Sequence, residues 1–491
     1  MTPQLACPRQ VRLDFSGLLP DEHRRALGQF MTPAPVARFM ASLFRPAAGP
    51  LRVLDPGAGF GALSVALLER WRRGELGAGA LKLTAHELDP QLWPALENAL
   101  APYSCAGADV RVVGGDFLAH AAEAAARGAR PYTHAILNPP YKKIGAASSA
   151  RQHCRRAGLE TVNLYSAFVG LALGLLAPGG QLVALIPRSF ANGPYYRPFR
   201  EFLLTRAALH HVHLFHRRDA AFRDDDVLQE NVILYAERAG AQGRVTVTSS
   251  TDETFADLRA RDAAFTEVIR PGDADAFVHL PTGVEADPLD GAARVDHRLD
   301  ELGLSVSTGP VVDFRMRAHL LPELVVGAAP LLHPAHLAGR ELRWPRPSAK
   351  KANAIAQNEH TARWLFPAGC YAVVRRFSSK EERRRVVASV VLPDALPPCE
   401  ALGFENHLNV FHRDRAGLPP ELAWGLFAYL SSSAVDAHLR RYHGHTQVNA
   451  TDLRALRYPG LRALAALGRW AELTPEADQA ALDERVQRLL R

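Results

Sequence analysis

The sequence lacks paired cysteines, long apolar runs and internal repeats. Its five cysteines lie far apart and form no CxxC pair, which excludes a cysteine-rich zinc motif and a disulfide framework. We therefore expect a reducing compartment, the cytoplasm. No apolar stretch reaches the roughly 18 residues of a membrane helix, and no apolar export signal is present near the first residue. We expect neither a membrane span nor secretion.

Lysine is scarce as well, so arginine supplies most of the 58 basic residues, which stand against 51 acidic ones. The net charge of +7 and the isoelectric point near 9.3 suit a polyanionic partner. Because arginine and alanine are abundant throughout, a GC-rich coding bias explains this charge equally well. The 491 residues, 47% of them hydrophobic, are enough for about two to four domains.

The first half of the chain alternates short apolar runs with helical stretches. The predicted strands lie at residues 51–54, 81–86, 110–113, 135–137, 181–186, 210–215 and 232–235. The predicted helices lie at 62–71, 164–176 and 195–204, and Ala177-Pro178-Gly179-Gly180 ends the second of them. Strands that alternate with helices predict an α/β fold with a mostly parallel sheet and helices on both faces.

The pattern changes after residue 240, where an acidic and weakly patterned segment runs to residue 300. Short strands, prolines and arginine clusters follow from Leu302, and helices are predicted near 420–438 and 475–490. We therefore predict two domains, residues 1–245 and 246–491, with the boundary inside the interval 235–300.

The tetrapeptide Asn138-Pro139-Pro140-Tyr141 directly follows the apolar run at 135–137. It places a neutral amide, a rigid turn and an aromatic ring at the end of a predicted buried strand. This combination suits a flat molecule that is held by its exocyclic amine. A proline-stiffened loop is the structural alternative, because Pro-Pro often only ends a strand.

A glycine-rich turn follows the first predicted strand. Asp55 ends that strand, and Gly57, Gly59 and Gly61 follow it before the next helix. Glycines let the backbone take positive φ angles and approach a ligand closely. The spacing is neither that of a dinucleotide fingerprint nor that of a phosphate-binding loop.

Acidic residues follow the second and third predicted strands. Glu87 and Asp89 lie where an acid can hold two ribose hydroxyls. Asp116 can accept a hydrogen bond from an adenine amine, with the ring of Phe117 against the base. Solvated surface acids are the alternative. Acids at three successive strand ends favour a ligand site, because ligands bind at the carboxyl edge of open α/β sheets.

These motifs, in this order, resemble those of gamma-class adenine-N6 DNA methyltransferases of restriction-modification systems. The segment Gly28-Gln29-Phe30-Met31-Thr32-Pro33 is similar to the cofactor motif that precedes them in that class. The second half resembles Eco57I-like and TaqI-like restriction-modification enzymes. The resemblance implies an α/β, Rossmann-like S-adenosylmethionine-dependent methyltransferase domain, followed by a C-terminal α+β target-recognition domain for DNA.

The resemblance also implies a site for S-adenosyl-L-methionine and no metal. The implied cofactor residues are Phe30, Thr32, Asp55, Gly57, Gly59, Gly61, Glu87, Asp116, Phe117 and Asn138. The first two would lie near the methionine part of the cofactor, and the glycine turn at its amino-acid end. Glu87, in preference to Asp89, would hold the ribose.

The implied catalytic residues are Asn138, Pro139, Tyr141 and Phe222. Asn138 and the Pro139 carbonyl would accept the amine N–H bonds, while Tyr141 would stack on a base flipped out of the duplex. Phe222 is the best match for the second aromatic of the family, and Phe215 competes with it.

The second half offers basic and polar segments for DNA contact. We predict contacts from Arg315, Lys380, Arg383, Arg384, His445, Gln447 and Asn449. Arginine and lysine neutralise phosphates or bind guanine in a bidentate manner. A charged helix face is the structural alternative for the run around Arg383.

The sequence as a whole predicts a prokaryotic, site-specific adenine-N6 DNA methyltransferase that acts on double-stranded DNA, with a cognate restriction endonuclease as a partner and no membrane association. Two alternatives remain open. One is a methyltransferase for protein glutamine or for an RNA amine, since the same tetrapeptide serves those substrates. The other is a DNA-specificity module with a vestigial methyltransferase half.

Overall fold

A computed structural model describes residues 31–104, 107–216, 230–280, 288–289, 294–346, 351–378, 382–442 and 447–490. These residues form two compact units. The first comprises the chain up to Phe190 together with Tyr195–Thr282, and the second comprises Ala191–Pro194 and the chain from Gly283 onward. Among the helices of the described residues, none is both long and apolar enough to cross a bilayer.

Nine strands build the sheet of the first unit. They are β1 Leu51–Pro56, β2 Leu81–Glu87, β3 Ala108–Gly114, β4 Tyr132–Leu137, β5 Leu176–Pro187, β6 Ala207–Phe215, β7 Asn231–Arg238, β8 Val245–Ser250 and β9 Arg259–Ala263. Their order is β3-β2-β1-β4-β5-β7-β6-β8-β9. All neighbouring pairs are parallel except those that involve β7 or β9. The predicted α/β fold class is confirmed.

Helices connect these strands, as continuous apolar strands buried on both faces require. They are α1 Ala34–Ser42, α2 Ala62–Arg72, α3 Trp93–Leu100, α4 Phe117–Ala126, α5 Ser149–Arg156, α6 Leu164–Leu175, α7 Arg197–Leu204 and α8 Phe265–Val268. Val36 and Met40 of α1 share one buried core with Ile136 of β4, Leu185 of β5 and Ile233 of β7. This core defines the α1 face of the sheet.

The structure corrects two boundaries. Residues after 245 do not begin a new domain, because β8 and β9 extend the same sheet and the first unit runs to Thr282. Alternation of apolar and polar residues in Val245–Ser250 is the signal that was missed. The predicted helix at 164–176 ends at Leu175, and β5 begins at once, so the proline-glycine segment lies inside a strand.

The second unit holds two small sheets and a hairpin. Its strands are β10 Ser305–Thr308, β11 Leu320–Leu321, β12 Ala328–Leu332, β13 Leu337–Ala338, β14 Glu341–Leu342, β15 Ala354–Ala356, β16 Leu365–Pro367, β17 Tyr371–Arg375, β18 Ala388–Val391, β19 Ala401–Phe404 and β20 Leu408–His412. The sheet orders are β10-β20-β17-β18 and β11-β15-β12-β19-β16, and β13 pairs with β14.

Five helices complete the second unit: α9 Pro420–Leu430, α10 Ser433–Tyr442, α11 Ala450–Ala455, α12 Leu461–Leu473 and α13 Gln479–Leu490. The helix predicted near 420–438 is thus two helices. They part at Ser432, whose hydroxyl accepts a hydrogen bond from the Val435 N–H at 3.3 Å. Within the same unit, the Asn192 amide donates to Asp452 Oδ1 at 3.2 Å, and both side chains are fully buried.

Candidate active site

Four predicted site residues meet at one edge of the nine-stranded sheet. Asp55 lies near the end of β1 and Glu87 ends β2, while Asp116 and Asn138 follow β3 and β4. Because β3, β2, β1 and β4 are parallel neighbours, their carboxyl ends lie side by side. This is the edge at which open α/β sheets bind ligands.

The glycine turn is held against β2 by backbone hydrogen bonds. The N–H groups of Gly57 and Ala58 both donate to the His86 carbonyl, at 2.8 and 2.9 Å. Gly57, Gly59 and Gly61 have φ angles of 77°, 56° and 85°, which side chains with a Cβ rarely adopt. A Cβ on Gly61 would also lie 2.8 Å from Leu96 Cδ1. The turn therefore needs glycine for conformation and for packing.

The Asp55 carboxyl is fully buried beside this turn. Ser64 donates its hydroxyl to Asp55 Oδ2 at 2.6 Å, whereas Oδ1 has no hydrogen-bond partner among the described residues. Burial raises the pKa of Asp55 to about 7; the Ser64 hydrogen bond opposes this shift, and the charge of Glu87 adds to it. A buried acid with one open oxygen suits a cationic ligand group.

Glu87 is also buried, and both of its oxygens accept backbone hydrogen bonds. Oε2 accepts from Gly59 N–H and Oε1 from Asp89 N–H, each at 2.8 Å. Burial raises the pKa of Glu87, and these two hydrogen bonds oppose the shift. The carboxylate thus links the glycine turn to the end of β2.

Asp116 and Phe117 begin α4. Asp116 is exposed and caps the helix, since its Oδ1 accepts from Leu118 N–H at 2.9 Å. The Phe117 ring is buried, with its centroid 5.5 Å from that of His86 and 5.2 Å from that of Phe168.

Two hydrogen bonds to described side chains fix the orientation of the Asn138 amide. Its Nδ2 donates to Thr32 Oγ1 at 3.0 Å, and its Oδ1 accepts from the Tyr141 hydroxyl at 3.0 Å. The Tyr141 hydroxyl also lies 3.2 Å from the Leu185 carbonyl. Burial raises the pKa of Tyr141 well above its usual value, so this hydroxyl stays a donor. Pro139 is buried.

Four predicted site residues, Phe30, Phe222, Lys380 and His445, lie outside the described residues. Phe215, the competitor of Phe222, is a core residue with 4% exposure. Its ring packs edge-on against His213, with the centroids 4.6 Å apart, and at a tilt against Phe255, with the centroids 5.8 Å apart. Phe215 therefore serves the core rather than an open site.

The predicted DNA-contact residues that are described have different surroundings. Arg315 and Arg383 are exposed, and Arg315 lies over the exposed ring of Phe314. Arg384 donates to the Ser433 hydroxyl at 3.1 Å. Gln447 pairs with Phe377 in an isolated antiparallel bridge.

Asn449 has a structural task that the sequence prediction missed. It is the N-cap of α11, where its N–H donates to Asp452 Oδ2 at 2.8 Å, and its Oδ1 accepts from Arg376 Nε at 3.2 Å. Its Nδ2 donates to the Gln447 carbonyl at 3.4 Å, so both ends of the side-chain amide have protein partners, and its DNA contact stays a prediction. The two segments predicted separately as DNA-binding, near 376 and near 447, thus lie together.

A cavity of about 470 Å³ opens beside this pair of segments in the second unit. It is lined by Pro334, Ala335, Arg375, Phe377 and His407. The Phe377 ring is 41% exposed and packs edge-on against His407, with the centroids 4.9 Å apart. His407 is a polar surface residue that the sequence prediction missed.

A buried carboxylate holds His407 in place. Glu405 is 1% exposed, and its Oε1 lies 2.8 Å from His407 Nδ1 and also accepts from Lys351. Lys351 contacts Asp313 Oδ2 at 2.5 Å as well. Burial acts to lower the pKa of Lys351, but its bonds to Asp313 and Glu405 raise it. Lys351 is 38 residues from Asp313 and 54 from Glu405 in sequence, and no motif marks these contacts.

Comparison with known proteins identifies the family. Residues 124–222 match the Eco57I restriction-modification methylase family. The chain is 43% identical to the type II methyltransferase M.BsuBI of Bacillus subtilis, over 100% of this chain and 99% of the relative. It is 37% identical to the type II methyltransferase M.PstI of Providencia stuartii, over 98% of this chain and 96% of the relative. The chain belongs to the type II methyltransferase family.

This type II methyltransferase also has a more limited likeness to an RNA-modifying enzyme. It is 44% identical over 98 residues to an rRNA adenine N-6-methyltransferase of Streptomyces fradiae, covering 20% of this chain and 27% of the relative. The predicted resemblance to methyltransferases of restriction-modification systems is confirmed, and with it the reaction class of methyl transfer.

Asp55 gives the type II methyltransferase a testable pH dependence of stability. Its pKa of about 7 in the folded protein exceeds that of the unfolded chain, so its contribution to stability is complete at low pH and is lost as pH rises through 7. Between pH 6 and pH 8 this loss is about 1 kcal/mol. Asp55→Asn should remove this loss. The measurement is the difference in the free energy of unfolding between the two proteins, taken from urea unfolding at each pH. An unchanged difference across this range would contradict the buried acid.

Proposed function

We propose that the chain transfers a methyl group from S-adenosylmethionine to N6 of a flipped adenine in duplex DNA, as the methyltransferase of a restriction-modification system with a cognate endonuclease. The observation that carries this proposal is the oriented, neutral amide of Asn138. Its nitrogen is bound to Thr32, so its oxygen is the group presented to a substrate amine.

The residues at the edges of β1, β2 and β3 fit S-adenosylmethionine, which supplies an electrophilic methyl group when bound. The open Oδ1 of Asp55 suits an ammonium group, and the glycine turn leaves room beside it. Glu87 suits ribose hydroxyls, and Asp116 suits an adenine amine with Phe117 near the ring. Thr32, at the start of α1, suits the methionine part.

Asn138 and Pro139 then prepare the target amine. The amide oxygen of Asn138 and the carbonyl of Pro139 each accept one N–H bond of the exocyclic amine. This localises the nitrogen lone pair and stabilises the positive charge that develops during transfer. An amide oxygen can accept more than one hydrogen bond, so Asn138 Oδ1 can accept from the amine as well as from the Tyr141 hydroxyl. A neutral amide does this without a shifted pKa.

Access to the base follows from geometry. An amine inside a duplex cannot reach a methyl donor at a sheet edge, so the target base must leave the stack, where Tyr141 can pack on it. Arg315, Arg383, Arg384 and Gln447 of the second unit are proposed as DNA contacts, with phosphate neutralisation by the arginines. The exposed Phe377 and His407 extend this set.

An RNA substrate is the second candidate, and the Streptomyces fradiae relative favours it. The near-complete alignment with type II methyltransferases favours DNA, because it includes the whole second unit. A protein-glutamine substrate has no comparable support among these relatives.

A methyl-acceptor assay separates these candidates. Tritiated S-adenosylmethionine would be incubated with the full-length protein and sequence-diverse duplex DNA, RNA or bacterial protein. We expect label in duplex DNA alone, recovered as N6-methyl-2′-deoxyadenosine and identified by mass spectrometry. Label only in RNA or protein, or in another base, would overturn the proposal.

Asn138→Ala should lower the rate of transfer by about 10²–10³-fold, because it removes a hydrogen bond that acts on developing charge. Calorimetry with S-adenosylmethionine should give an unchanged affinity. Retained transfer would remove Asn138 from the mechanism.

Thr32→Val should lower kcat about tenfold, because Val keeps the shape of the side chain but offers no acceptor for the Asn138 amide nitrogen. Thr32→Ser keeps the hydroxyl and is the matched control. We expect Ser to retain most of the activity. Equal loss in both variants, or a loss confined to cofactor affinity, would contradict the orienting role.

A further inference from the structure

A buried asparagine at the start of β7 has no polar partner. Asn231 is 3% exposed, and neither its Oδ1 nor its Nδ2 makes a hydrogen bond within the described part of the chain. Leaving such a group unpaired costs about 1–3 kcal/mol. Native proteins satisfy nearly all buried polar groups, so an exception of this kind indicates a ligand or a functional role.

The strand register places Asn231 on the same side and at the same edge as Asn138. Asn231 pairs with Pro187 of β5, and Ile233 pairs with Leu185, whose carbonyl contacts Tyr141. Ile136, Leu185 and Ile233 all face the α1 side of the sheet. Side chains alternate along strands, so Pro187 and Asn231, two residues nearer the edge, also face that side. The Asn138 amide reaches Thr32, just before α1, on this side.

The described neighbours on the adjacent strands offer Asn231 no alternative partner. Pro187 has no N–H group, and Phe215 of β6, which shares this core, is apolar. The nearest charged side chains along the chain, Arg188 and Glu230, form a buried ion pair with each other at 3.1 Å. Among the described residues, the buried Asn231 amide therefore has no polar protein group to pair with.

The order of the strands indicates which part of the substrate lies near Asn231. The cofactor-type residues lie at the ends of β1, β2 and β3, and Asn138 lies at the end of β4. The neighbouring strands β5 and β7, at roughly 5 Å per strand, lie on the far side of Asn138 from them. A flat base that presents its amine to Asn138 extends toward β5 and β7.

Given the proposed adenine target, we propose that Asn231 lines the pocket for the flipped base and donates its Nδ2 hydrogen bond to a ring nitrogen beside the amine. The two amine hydrogens are taken by Asn138 and Pro139. The groups that flank the amine are N1 and N7, and both are acceptors. Each needs a donor, and the Asn231 amide is the buried donor at this edge.

The test compares the full-length protein with Asn231→Leu, which has a similar volume and no polar atoms. The substrates are duplexes that carry adenine, 1-deazaadenine or 7-deazaadenine at the site that the unaltered protein methylates. On adenine, Asn231→Leu should lower kcat/KM about tenfold, which corresponds to about 1.4 kcal/mol. On one of the two deaza duplexes, the kcat/KM of the unaltered protein should fall by the same factor relative to the adenine duplex. The kcat/KM of Asn231→Leu should not fall further on that duplex. The deaza position identifies the bonded nitrogen.

Thermal unfolding without DNA provides the second measurement. Because the leucine removes an unpaired buried amide, the melting temperature should stay the same or rise by about 2 °C. A fall in melting temperature together with equal losses on all three duplexes would assign Asn231 a structural role and overturn the proposal. So would full activity of Asn231→Leu on adenine. If adenine is not the target base, the unaltered protein will not methylate the adenine duplex. This result is distinct from the outcomes that concern Asn231.

Discussion

The orientation of one amide group is the constraint on which the candidate active site depends. An asparagine side chain has an acceptor oxygen at one end and a donor nitrogen at the other. Only the oxygen can accept a hydrogen bond from a substrate amine. At Asn138 the donor end is bound to Thr32 and the acceptor end is aligned by Tyr141. Thr32, just before α1, and the tetrapeptide after β4 therefore orient the same amide together, although they are more than a hundred residues apart.

The cofactor edge depends on a different effect, the burial of acids. Asp55 and Glu87 are both taken out of water, and burial raises the pKa of each. Glu87 is compensated by two backbone N–H groups, whereas Asp55 keeps one oxygen open. The burial of the Asp55 carboxyl group therefore costs stability in the free protein. Any ligand that pairs with its open oxygen would stabilise the folded state through its binding free energy.

The sequence was sufficient to predict all seven strands from β1 to β7 and the edge where Asp55, Glu87 and Asn138 meet, because apolar runs and their terminal polar residues are local patterns. It was insufficient where contacts between distant residues determine the role of a side chain. Asn449 stays a predicted DNA contact, but its side chain also accepts a hydrogen bond from Arg376, 73 residues away in sequence, which no local pattern marks. Nothing near Asn231 in sequence marks its unpaired amide, and only the pairing of β7 with β5 places it near Asn138. Likewise, the Glu405–His407–Lys351 contacts join distant segments.

The short segment Ala191–Pro194 has a consequence for exchanging the second unit between relatives. It belongs to the second unit, where Asn192 is buried against Asp452, while the chain on both sides of it belongs to the first. A chimera joined once near residue 282 would keep these four residues from one parent and their buried partner from the other. The second unit therefore consists of two segments of the chain. A chimera that takes the whole core of this unit from one parent needs three junctions instead of one.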